Sequence, residues 1–80
     1  MPWIIWPTPA CRPVYALILK NHLVRLARAK DQLTLSLATE RAEGYVEGVE
    51  SARALTPATV EALYVAVDNA ATARQLELEL

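Results

Sequence analysis

An 80-residue chain holds one small domain at most and buries about three-fifths of its unfolded surface, which excludes a self-contained multidomain enzyme. With 54% hydrophobic and 21% charged residues it is too apolar for a disordered chain and too interrupted by charge for a membrane span. The net charge of -1 is a cancellation: residues 1–30 carry Arg12, Lys20, Arg25, Arg28 and Lys30 without an acid, while from Asp31 onward Arg41, Arg53 and Arg74 face all nine carboxylates.

Residues 1–13 contain Pro2, Pro7, Pro9 and Pro13, which oppose a helix and predict an extended N-terminal arm. Trp3, Ile4, Ile5 and Trp6 within it need cover: they either cap the chain's own core or anchor in a partner, where tryptophan is favoured. Cys11 is the one cysteine, so no internal disulfide can form and a reducing, cytoplasmic setting is expected. The arm has neither the basic leader nor the small-residue cleavage site of a signal peptide. The longest strongly apolar run, Val14 to Leu19, is far short of the roughly 20 residues that cross a bilayer, so no membrane is expected as a partner.

Pro13 suits a first helical position, and the pattern turns helical from Val14. Leu19, Leu23, Leu26, Leu33 and Leu37 step by four and three, with Lys30 in the gap, which predicts a stripe on one long helix reaching about Leu55. A break would fall near residues 31–37, where Leu33, Leu35 and Leu37 also alternate as in a strand; a lone strand without a pairing partner leaves its backbone unsatisfied, so helix is preferred. Further along, Gly44, Gly48 and Ala52 continue the leucine azimuth, and close approach of another helix would offset the roughly 1 kcal/mol that each helical glycine costs.

Leu55-Thr56-Pro57 followed by Val60 is the most specific local signal: an N-cap, a proline at the first helical position and the two halves of a hydrophobic staple. It starts a second helix, to about Gln75, with Val60, Leu63, Val67, Ala70 and Arg74 on one face. The short connection predicts antiparallel return, placing Ala62, Ala66, Ala70 and Ala73 near Gly44 and Gly48. The expected fold is therefore all-α: an extended arm over 1–13 and a helical hairpin domain over 14–80. Its acidic end, Leu76 to Leu80, opposes the helix dipole and is expected to fray unless a partner covers its leucines.

No catalytic, cofactor-binding or metal-ligating set is apparent. His22 has no Cys, Asp or Glu at ligand spacing, and no base accompanies Cys11. Neither glycine follows a strand as phosphate loops require. Charge is the remaining signal. Glu40, Glu43, Glu47 and Glu50 form an acidic ridge that is either a solvated face or a docking surface for a basic protein. Arg25 and Arg28 form a basic face that could lie on phosphates. On one long helix this order opposes the macrodipole, and an antiparallel homodimer would set Arg25 and Arg28 beside Glu43 and Glu47 of the second copy. The same dimer would bury Leu19, Leu23 and Leu26, which a returning helix of about 20 residues leaves uncovered, together with Leu33.

The stretch Arg41-Ala42-Glu43-Gly44-Tyr45-Val46-Glu47-Gly48-Val49, with Ala54-Leu55-Thr56-Pro57-Ala58-Thr59-Val60-Glu61-Ala62-Leu63, resembles small helical-hairpin proteins of bacteria, phages and other mobile elements. The resemblance covers the second half of the chain and implies a role in binding and inhibiting a host protein; it carries over no functional residue. The expected function is a non-enzymatic, self-associating protein-binding module with Trp3, Trp6, Arg25, Arg28 and the Glu40–Glu50 ridge as contacts. Nucleic-acid binding through the basic first helix is the alternative.

Overall fold

The computed structural model describes residues 13–80, so Trp3, Trp6, Cys11 and the predicted arm lie outside the described residues. The described chain is all-helical: α1 (Pro13–Ala27), α2 (Gln32–Ser51) and α3 (Pro57–Leu78). Their inward faces share one core of Leu19 and Leu26 from α1, Leu35, Ala42, Val46 and Val49 from α2, and Val60, Leu63 and Val67 from α3, with Ala29 and Leu55 from the two connections. Each large aliphatic side chain buried there contributes about 1.5–3 kcal/mol of transfer free energy.

The single long helix expected over 14–55 does not form. After Ala27 the chain tightens, the Arg28 N–H donating to the Val24 and Arg25 carbonyls and the Ala29 N–H to Leu26. Asp31 then opens α2 from an extended conformation, its carboxylate accepting the Thr34 N–H at 2.8 Å. The break shifts the helical register, so the leucine stripe is two half-stripes: Leu19 and Leu26 face the core, whereas Leu33 and Leu37 are 70% and 58% exposed. It also removes the need for a second chain over the first leucines. Leu19 and Leu26 are buried, and Leu23 packs half-buried against the core, all within this chain.

The charge order changes meaning as well. On α1 alone, Arg25 lies in the last turn, where the dipole favours a cation, and Asp31 lies at the start of α2, where it favours an anion. Within α2 the opposition to the dipole persists in the second half, at Glu43, Glu47 and Glu50.

The second junction follows the sequence signal. Thr56 Oγ accepts the Thr59 N–H at 3.2 Å, Pro57 stands at the first position, and Leu55 and Val60 are both buried as the staple requires. Tyr64 near the start of α3 donates to Glu50 near the end of α2 at 3.2 Å. Gln75 and Leu76, near the end of α3, line a groove with Gln32 and Ser36 at the start of α2. The helix runs past Gln75 to Leu78, where Leu78 packs against the core and the acids have local partners, Arg74 to Glu77 at 3.1 Å and Gln75 to Glu79 at 2.9 Å.

Arg74 does more than pair with Glu77. Its Nε and Nη2 donate to the Ala29 carbonyl at 2.9 and 2.7 Å, so α3 satisfies the backbone acceptor of the one buried residue in the connection between α1 and α2.

Candidate functional site

The expected packing of α3 alanines onto Gly44 and Gly48 is not found. Among the described residues nothing beyond the chain neighbours and local backbone of α2 lies within 4 Å of a Cβ built on either glycine. α3 packs against the flank of α2 marked by Thr39 and Glu50, while the glycines open onto a groove shared with Tyr15 of α1. Tyr45 Oη donates to the Tyr15 carbonyl at 3.0 Å, and the Tyr45 ring stacks on His22 with centroids 5.2 Å apart, so the seam between α1 and α2 is aromatic at this level.

One turn further toward the junction the seam becomes basic. The break folds α1 back along α2, and Arg25 and Arg28 meet Arg41 around a surface groove of about 490 Å³ lined also by Thr34, Leu37 and Ala38. None of the three arginines has a carboxylate at ion-pair distance among the described residues, where the ion pair is Arg74 with Glu77. Their field is felt inside the seam: partial burial first, then the charges of Arg25 and Arg41, lower the His22 pKa from its ordinary 6.5. The shift favours the neutral imidazole. The sequence places Arg25 and Arg28 together but leaves Arg41 in the acidic half, because only the break brings α2 beside the end of α1. The signal was present in Asp31, a good N-cap three residues before Thr34, and in Lys30, which interrupts the stripe.

The acidic ridge occupies the other flank of α2. Glu40, Glu43, Glu47 and Glu50 are all exposed; Glu40 lines the groove facing Thr72 and Gln75 of α3, and Glu50 accepts from Tyr64. Desolvation and then Glu50 raise the Tyr64 pKa from 10.0, so the phenol stays a donor to the ridge. Within one chain the structure thus separates Arg25 and Arg28 from Glu43 and Glu47. The exposed ridge between the two flanks carries Leu33, Leu37, Gly44 and Gly48.

Of the predicted contact residues, Arg25, Arg28 and the four glutamates are surface groups available to a partner, whereas Leu19 and Leu26 are not. Leu33 remains exposed. Trp3 and Trp6 lie outside the described residues. No group of three His, Cys, Asp or Glu side chains among the described residues could hold a metal ion, and no described helix is long and apolar enough to cross a membrane. Compared with known proteins, the chain matches no family model, no curated protein and no solved structure.

Proposed function

We propose that this protein is a non-enzymatic interaction module that holds an acidic segment of another protein in the groove between α1 and α2. The observation that carries the reading is the convergence of Arg25, Arg28 and Arg41, without carboxylate partners among the described residues, around the exposed Leu37. Guanidinium groups bind carboxylates bidentately, and a leucine beside them supplies the apolar contact that fixes register. Interaction with a host protein, as the resemblance to mobile-element hairpin proteins implies, in a reducing cytoplasm, is the setting this reading takes.

A nucleic-acid duplex is the competing polyanion. Glu40 stands next to Arg41 on the neighbouring flank, and Glu43, Glu47 and Glu50 extend that flank along α2. A duplex longer than the groove would bring phosphates against this ridge, whereas a short peptide ends before reaching it. A second copy presenting its own Glu40–Glu50 ridge is one partner of the right charge; a monomeric mass at micromolar concentration removes it.

The test is titration with a leucine-containing oligoglutamate peptide and with a DNA duplex, at low salt and at roughly 0.15 M. Peptide binding should persist at the higher salt, fall roughly two- to five-fold for each of Arg25→Ala, Arg28→Ala and Arg41→Ala, and disappear in the triple charge reversal. Duplex binding tighter than peptide binding, with a steep salt dependence, would overturn the reading in favour of nucleic acid.

A further inference from the structure

The groove over Gly44 and Gly48 has no occupant among the described residues, and its lining is mostly apolar. Tyr15, Tyr45, Val49 and Ala54 flank it and the two glycines form its floor, an open surface depression of about 330 Å³. Both glycines are inside α2 and exposed, and each costs about 1 kcal/mol of helix propensity relative to alanine. Neither has a positive φ, so no turn requires them. What they provide is room.

We propose that this groove is the intramolecular docking site of the chain's own segment Trp3-Ile4-Ile5-Trp6. Three observations on the molecule favour that occupant over an unrelated one. First, the segment is joined to the groove: α1 begins at Pro13, and Tyr15 in its first turn is a groove wall fixed there by Tyr45. Second, the lengths agree. From Gly44 to Ala52 the groove follows eight helical steps, about 12 Å, and four extended residues cover about 13 Å. The six residues from Pro7 to Arg12 reach up to about 19 Å when extended, enough to return the segment along α2. Third, the chemistry is complementary: the walls are aromatic and aliphatic, and Trp3 to Trp6 is the chain's densest apolar cluster without an assigned place. Docking there would leave the arginine groove, one turn away on the same seam, open for the acidic partner.

The experiment uses the full chain, whose two tryptophans both lie in the proposed segment, so intrinsic tryptophan fluorescence reports on it alone. The wild type should show blue-shifted emission, shielded from iodide and unchanged on dilution. Gly48→Leu fills the groove without meeting a described atom at its Cβ and raises helix propensity; it should shift emission to the red and restore quenching while far-UV circular dichroism keeps its helical signal. Ala52→Leu, at the end of the groove, makes the same prediction should Gly48→Leu lose helicity. Water-like emission from the wild type overturns the proposal. So does blue-shifted emission that both filled variants retain, which would place the tryptophans elsewhere, or a blue shift that vanishes on dilution, which would assign the groove to a second copy.

Discussion

At the junction between α2 and α3, the backbone and capping bonds that end one helix and start the next join residues no more than five positions apart. The Arg53 N–H reaches Glu50, the Ala54 N–H reaches Val49, and Thr56 caps the Thr59 N–H. At the junction between α1 and α2, Asp31 also caps locally, but the Ala29 carbonyl is taken by Arg74, which lies 45 positions away. Two turns of similar length therefore depend on different kinds of information. One closes from its own residues, while in the other the carbonyl of buried Ala29 gains its side-chain donor only when the third helix has docked.

The largest expected effect follows from that dependence. Arg74→Ala should destabilise the chain by about 1.5–3 kcal/mol, because it removes two charge-assisted bonds and leaves the carbonyl of a buried residue without its protein donor. Urea unfolding followed by circular dichroism checks this, and the loss should appear in the midpoint rather than the slope. Arg74→Lys keeps the charge but not the fork and should recover only part of it. A loss below about 0.5 kcal/mol, the level of an ordinary surface substitution, would make both junctions local and erase the distinction.

The same distinction explains what the sequence made legible. Thr56, Pro57, Leu55 and Val60 announce their junction because each acts on neighbours within one turn. Val60, Leu63 and Val67 appear at helical spacing, and the structure buries them. The all-helical class, too, is readable from periodicity. Asp31 was as good a cap as Thr56, yet the leucines on either side continue at acceptable spacing, and that continuity outweighs the marks that Lys30 and Asp31 leave at the break. Arg74 read as part of an apolar face because its acceptor is a backbone carbonyl in another element. Arg41 joined the basic groove for the same reason: its neighbours Arg25 and Arg28 are brought to it by a fold, not by a spacing. The inward face of α2 is Leu35, Ala42, Val46 and Val49 rather than the face of Leu33 and Leu37, so Gly44 and Gly48 open toward Tyr15 instead of the returning α3.

The two caps offer a finer comparison. Thr56→Ala should cost about 1 kcal/mol, since the hydroxyl serves both the Thr59 N–H and, at 2.8 Å, the Thr59 hydroxyl in a buried position. Asp31→Asn keeps a capping oxygen and should cost less. The two should also differ in pH dependence. Hydrogen bonds from Thr34 hold the Asp31 pKa below its ordinary 3.8. The folded state thus binds the proton less readily than the unfolded one, and the cap's contribution is present above the ordinary carboxylate pKa and lost as pH falls through the lower folded value. Acid titration of stability should lose part of its slope in Asp31→Asn and keep it in Thr56→Ala; equal slopes in all three chains would show that this cap carries no measurable linkage.

The smallest effect concerns how the local junction is closed. Arg53 is the one described non-glycine residue with a positive φ, 55°, and its N–H and that of Ala54 complete a Schellman-type stop on the carbonyls of Glu50 and Val49. A side chain in that conformation costs about 1 kcal/mol, whereas glycine occupies it freely but loses more entropy on folding. Arg53→Gly should therefore stabilise by a few tenths of a kcal/mol net, read as a small rise in the urea midpoint at unchanged slope. Arg53→Ala, which keeps the strain and removes only the guanidinium, should leave it unmoved. Because Arg53 makes none of the ion pairs or side-chain hydrogen bonds found among the described residues, destabilisation by both substitutions would mean that the arginine side chain, rather than its backbone conformation, is what closes the turn.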